Sequence, residues 1–204
     1  MKLYYSPGAC SLSPHIALRE AGMKFDLEKV DLKDKKLASG GDYKSVNAKG
    51  YVPALTLDDG QMLTEAGAMV QYIADKKPEA KLAPAAGTPE RYKLQEWLNF
   101  LATEVHKGTS PLFNPAAPDQ WKTLVLAKLG ERYDFLAKHL AKQPYLMGQN
   151  FSVADGYLFT LLNWTNFLKI DLGKWPVLKA YFDRVGARPA VQEALVAEGL
   201  VKKA

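Results

Sequence analysis

The sequence predicts two parts. An α/β layer, with helices on a four-stranded sheet, spans residues 1–77, and an all-helical domain spans residues 90–204. Three observations carry this. Short strand-like runs separated by turn residues occur only before residue 65. Pro78, Pro84, Gly87 and Pro89 break the pattern over 78–89, which reads as a linker. Beyond it, every apolar run has helical spacing.

Lys2–Tyr5 is a short strand, closed by Ser6-Pro7-Gly8. A helix follows from Leu12 to Ala21, with Ile16, Ala17 and Leu18 on its apolar side. Proline is tolerated in a first helical turn, so Ser13-Pro14 suits its start, and Gly22 stops it. Phe25–Leu32 is a second strand, and the polar segment 33–50 is loop plus a short helix. Ala54–Leu57 and Gln61–Leu63 flank Asp58-Asp59-Gly60, the signature of a hairpin. Ala66–Lys76 is a helix capped by Thr64 or Glu65, with Met69, Val70 and Ile73 inward.

In the second part, Arg91–Gly108 carries Leu94, Trp97, Leu98, Leu101 and Val105 at helical spacing. Pro111, Pro115 and Pro118 end it, and 119–142 is a second long helix. Ser152-Val153-Ala154-Asp155 has the form of a capping box before the apolar run Tyr157–Trp164, a central buried helix. Pro176 opens another helix, and Ala190–Glu198 is the last.

The 204 residues are 48% hydrophobic and 24% charged, which excludes a disordered chain or a collagen-like repeat. No run approaches the ~18 apolar residues of a membrane helix. Pro7 and Gly8 come too early for a signal-peptide core, so the expectation is a soluble, cytoplasmic protein without membrane attachment, a periplasmic location being left open. Cys10 is the one cysteine, so no internal disulfide forms, and with three histidines there is no ligand set for a Cys/His zinc site. The net charge of +5 comes entirely from beyond residue 80. No basic run exceeds a pair (Lys35-Lys36, Lys76-Lys77, Lys202-Lys203), which argues against a nucleic-acid partner.

Cys10 lies where the first strand turns into the first helix. Helix N-termini carry roughly half a positive charge and unpaired N–H groups, and they stabilise thiolates. Cys10 is there either a working thiol or an inert small hydrophobe. Val52-Pro53 reads as an ordinary trans bond, because only about 5–6% of such bonds are cis. A cis bond there would open the Val52 backbone to an extended peptide. Glu65-Ala66 starts a helix whose N–H groups suit a carboxylate and whose acid suits an ammonium, and it also reads as a plain first-turn acid. Asn99, Thr103 and His106 share a face at i, i+4 and i+7, as a site or as a solvated side, with Glu104 set to pair with Lys107. His15 and His139 have no obvious partner and read as structural or exposed.

The segments KLYYSPGACSLSPHIALRE, NAKGYVPALTLDDGQMLTEAGAMVQYIAD, EWLNFLATEVHKG and FSVADGYLFTLLNW, in that order, resemble the bacterial beta-class glutathione S-transferases over essentially the whole chain. The resemblance implies a thioredoxin-like N-terminal domain, an all-α C-terminal domain and a homodimer, with glutathione in the cleft between the domains. It implies conjugation of reduced glutathione to hydrophobic electrophiles, a detoxifying reaction that uses no metal. Cys10 and His106 are then the catalytic candidates. Cys10 lies by the glutathione sulfur, Val52 pairs with its cysteinyl backbone across a cis Pro53, and Glu65 with the Ala66 N–H takes the γ-glutamyl end. Lys35 meets the glycyl carboxylate, and Asn99, Thr103, Glu104 and His106 close the site. Ser152 and Asp155 are the family's structural cap.

Two positions depart from the family pattern. Ala66 offers no hydroxyl, and Tyr51 stands where glutamine is common. Tyr5 and Ser11 are further candidate donors to the thiol, and Phe113 and Trp164 are candidates for the apolar wall. Two other functions fit the same residues: a thiol-disulfide reductase or peroxidase using Cys10, and a non-catalytic binder of hydrophobic ligands.

Overall fold

The computed structural model describes residues 1–202. Lys203, of the Lys202-Lys203 pair, and Ala204, the end of the expected helical domain, lie outside the described residues. Contacts divide the chain into two compact units. One is Met1–Ala83 together with the chain from Ala187 onward, and the other is Pro84–Gly186.

The first unit is built on a mixed sheet. Its strands are β1 (Lys2–Tyr5), β2 (Asp26–Asp31), β3 (Lys36–Leu37), β4 (Ala54–Thr56) and β5 (Met62–Thr64), in the order β3-β2-β1-β4-β5. The sheet therefore has five strands where the sequence predicts four. The fifth is the two-residue β3, antiparallel to β2 through Val30–Leu37 and Asp31–Lys36, and too short to leave a periodic signal. β1 runs parallel to β2, and β4 and β5 form the predicted antiparallel hairpin.

Strand alternation divides the core. Tyr4, Val30, Tyr43, Val52 and Ala54 form one buried cluster. Leu3 and its partner Leu55 point the other way and are fully buried. Two helices that pack on each other, α1 (Leu12–Glu20) and α2 (Ala66–Lys76), bring Ile16, Leu18, Met69, Val70 and Ile73 to the core. Gly22 closes α1 as predicted, at φ 62°. Its N–H bonds the Arg19 carbonyl and the Met23 N–H bonds that of Leu18, a Schellman pair.

The second unit is helical. Thr88 caps α3 (Pro89–Phe100) by accepting the Arg91 N–H. The chain then widens into π-helical Leu101–His106 before the short α4 (Lys107–Thr109). The uninterrupted α-helix expected over Arg91–Gly108 is thus broken by a π turn. α5 (Asp119–Leu140), α6 (Val153–Leu168) and α7 (Pro176–Gly186) complete the unit. Every residue from Val153 to Thr165 is buried, so α6 is the central helix that its composition predicts.

The last helix, α8 (Pro189–Ala197), belongs by sequence order with the helical half but packs on α1. Arg188 clamps Glu20 through two bonds of 2.6 and 2.8 Å.

Asp155 anchors α6. Its carboxylate accepts the Ser152 N–H and hydroxyl, the Leu146 N–H and the Tyr181 hydroxyl, all at 2.8–2.9 Å. Burial pushes this carboxyl above its usual range, against the pull of the four donors. Asp155→Ala strands those donors, each at a cost of about 1–3 kcal/mol where water cannot reach them. It is expected to lower the unfolding free energy by about 3 kcal/mol, read from the midpoint of urea unfolding.

Candidate functional site

The chain leaves β1 through a turn in which Ala9 N–H bonds the Ser6 carbonyl, and it enters α1 at Ser11. Cys10 therefore stands at the head of α1, half-buried, where the helix field is positive. Two of the first amides are already used: Leu12 N–H bonds the Ala9 carbonyl and Ser13 N–H bonds that of Cys10. The field remains there, with fewer orphan donors than the sequence suggests.

The Cys10 thiol donates to the Val52 carbonyl at 3.1 Å. Val52 lies at a cis Val52–Pro53 bond, in place of the trans bond that base frequency favours. The loop before it is pinned at Tyr51, whose carbonyl accepts Asn47 Nδ2 at 2.8 Å and the Tyr43 hydroxyl at 3.1 Å.

Ser11 is no donor to a ligand thiol. Its buried hydroxyl accepts the Ser6 N–H and donates to the Ser6 carbonyl, both at 3.2 Å, and so braces the turn. Tyr5 also remains a neutral phenol. Burial, and then the charges of Glu198 and Glu28, push its hydroxyl up.

Glu65 is the N-cap of α2 and holds φ 69°, ψ 116°, outside the regions that side chains favour. Such a conformation costs on the order of 1–3 kcal/mol and is concentrated at ligand sites. It places the Ala66 N–H at the head of a helix. The Glu65 carboxylate meets Lys49 Nζ at 2.7 Å, a partner that the sequence reading lacks. Glu65 in turn pushes the Lys49 ammonium up. Lys35, also at positive φ, lies with Lys44 around Gly50.

His15 is no exposed histidine. It is fully buried, with Nδ1 2.8 Å from Glu198 Oε1 and Nε2 accepting Arg19 Nε–H at 2.9 Å. Because Nε2 accepts, Nδ1 carries the proton and donates to Glu198. The other Glu198 oxygen accepts the Gly8 N–H at 2.8 Å, two residues before Cys10.

In the helical unit, the predicted stripe runs through the π turn. Bonding from i to i+5 widens the helix, so residues beyond it leave the 3.6-residue register. Asn99 and Thr103 stay together, but the Thr103 hydroxyl donates to the Asn99 carbonyl of its own helix at 3.0 Å. His106 turns to Tyr157, with Nδ1 2.7 Å from the phenol oxygen, and to Trp164, ring centroids 4.9 Å apart. Trp164 also meets half-exposed Phe113 edge-on at 5.4 Å. Glu104 pairs with Arg132 of α5, at 2.8 and 2.9 Å, a partner that the sequence reading lacks. His139 sits on α5, Nε2 3.0 Å from the Leu146 carbonyl and its ring 4.5 Å from Trp97. No group of three His, Cys, Asp or Glu side chains able to hold a metal occurs among the described residues.

A thioredoxin-like α/β unit with a cysteine heading its first helix, followed in the chain by an all-helical unit, is the architecture of the glutathione S-transferases. Family models for the glutathione S-transferase N-terminal domain and C-terminal domain match residues 8–76 and 100–189. The chain belongs to that family. It is 48% identical over 200 residues to glutathione S-transferase GstA of Escherichia coli O157:H7, covering 98% of this chain and all of that one. Among solved structures, a ternary complex of BphK, a bacterial family member, is 60% identical with a TM-score of 0.96, covering 98% of this chain and all of that one. A sphingomonad glutathione S-transferase complexed with glutathione is 48% identical with a TM-score of 0.95, at the same coverage.

Glu198→Ala removes the acceptor of both the Gly8 N–H and His15. An uncompensated buried partner costs a few kcal/mol, so unfolding by urea is expected to show a loss of about 3 kcal/mol. Glu198→Gln, which keeps one carbonyl acceptor, is expected to lose about half of that in the same assay.

Proposed function

We propose that this protein transfers the sulfur of reduced glutathione to the electrophilic carbon of apolar small molecules. The observation that carries this is the Cys10 thiol, donating to the Val52 carbonyl at the head of α1. A free thiol ionises near 8.5 and is only a few per cent thiolate at neutral pH. Lowering that by about two units takes ~2.7 kcal/mol of differential stabilisation.

The cysteinyl N–H of glutathione takes the Val52 carbonyl in place of Cys10. The released Cys10 S–H then donates to the glutathione sulfur. That donor and the positive field of α1 together favour the thiolate, and the departing proton goes to solvent. The thiolate attacks the electrophilic carbon, its sulfur–carbon bond forming as the leaving group departs with its electron pair.

Glu65 and the Ala66 N–H hold the γ-glutamyl ammonium and carboxylate, and the strained backbone at Glu65 supports this assignment. Lys49, already on Glu65, gives up or shares that carboxylate with the ligand ammonium. Lys35 takes the glycyl carboxylate. Asn99, Thr103, Glu104 and His106 are assigned to the same ligand on the sequence resemblance. The exposed edge of Phe113 beside Trp164 offers an apolar wall to the electrophile. The resemblance further supports a beta-class homodimer that detoxifies hydrophobic electrophiles in the cytoplasm.

A second chemistry uses the same thiol. Cys10 is half-buried and has no second cysteine to resolve it. Its thiolate attacks a disulfide between glutathione and another thiol, giving a Cys10–glutathione disulfide and releasing the other thiolate, and reduced glutathione then attacks that disulfide, freeing Cys10 and leaving as oxidised glutathione. Cys10→Ala separates the two chemistries. Conjugation of an aryl halide is expected to fall about tenfold through loss of one donor, while disulfide reduction disappears. Conjugation unchanged in Cys10→Ala contradicts the donor role. Lys35→Ala is expected to raise KM for glutathione about tenfold with kcat nearly unchanged, the pattern of lost uniform binding.

A further inference from the structure

A groove of about 340 Å³ opens in the helical unit between α5 and the connection from α6 to α7. That volume is within the range of small-molecule sites. None of the residues lining it is assigned above to glutathione or to the electrophile. Leu126, Leu129 and Tyr133 of α5 form one wall, and Leu168 and Ile170 form the other. Trp175 closes it, edge-on to Tyr133 at 5.1 Å. The indole N–H is spent on Asp134 at 2.7 Å, so Trp175 offers apolar ring surface.

Two residues here go against local preference. Gly130 lies in the interior of the 22-residue α5, where glycine destabilises a helix relative to alanine. A Cβ at Gly130 would sit in ordinary contact with the Trp175 ring, at 3.8 Å, so a side chain longer than alanine's would take up room in the groove. Lys169 ends α6 in the left-handed conformation at φ 54°, a position that favours glycine. The Ile170 N–H closes the helix on the Thr165 carbonyl at 3.0 Å. A glycine where a side chain is preferred and a lysine where glycine is preferred therefore line the same groove. Breaches of local preference of this kind are expected at functional positions.

The charge at the rim is positive. Lys169 and Lys174 both line the groove, are exposed, and have no carboxylate partner among the described residues. Asp171, also on the rim, has Oδ1 turned to the Gly173 N–H at 2.8 Å. An apolar floor under two unpaired ammonium groups complements a flat hydrophobic body with one anionic end.

We propose that this groove is a second ligand site, for a small aromatic carboxylate. Its rings lie against Trp175 and the leucines of the walls, and its carboxylate meets Lys169 and Lys174. The occupant is bound and not turned over, because the residues lining the groove include no cysteine, serine or histidine.

The test uses 2-naphthoate as the probe, titrated calorimetrically into the full-length protein with glutathione saturating. Saturable binding at one site per chain is expected. It weakens about tenfold in the double variant Lys169→Gln, Lys174→Gln, and by a similar factor for the uncharged 2-naphthalenemethanol. Gly130→Leu, which fills the floor, is expected to abolish it while aryl-halide conjugation stays unchanged. If Gly130→Leu does not fold, the lysine pair carries the test alone. Absence of saturable binding, equal affinity in the lysine variant, or displacement of 2-naphthoate by the electrophile each overturns the proposal.

Discussion

A single buried carboxylate near the end of the chain holds the turn that presents Cys10. Glu198 accepts the Gly8 N–H with one oxygen and His15 with the other, and Gly8 lies 190 residues earlier in the chain. Buried acceptors and donors of this kind stabilise only as a complete set, since each orphan costs a few kcal/mol. Arg19 completes the set at His15, and Ser11 completes the same turn from within by bonding both backbone groups of Ser6. Cys10 is thereby fixed where the α1 field and the Val52 carbonyl both reach it. The C-terminal helix is in this sense part of the α/β unit, and the cysteine turn depends on it.

Much of the fold was legible because its signals are local. The Asp59-Gly60 turn, the glycine after α1, the acid three residues after Ser152 and the apolar run of α6 each state their structure within a few residues. What escaped was non-local or too short. β3 has two residues. The partners of His15 and Glu104 lie 183 and 28 residues away. The π turn at Leu101–His106 has no compositional mark, so a stripe drawn at 3.6 residues per turn does not anticipate it.

The candidate site was legible by residue type more than by arrangement. Cys10, Val52 and Glu65 could be singled out from turn and cap positions. Their present partners could not. Cys10 meets the Val52 carbonyl, Glu65 meets Lys49, and Thr103 meets its own helix. Backbone conformation adds what side-chain pattern lacks. Glu65 and Lys169 both adopt left-handed φ without being glycine, one at the head of α2 and one at the foot of α6. Such residues persist only where the surroundings hold them there.

The central claim is that the Cys10 turn and the head of α1 favour the ionised sulfur of glutathione. Its most direct test is a calorimetric titration with reduced glutathione at neutral pH, in two buffers of different ionisation heat. Saturable binding at one site per chain, with net proton release, is the predicted result. No saturable binding, or binding with no proton released, would contradict it.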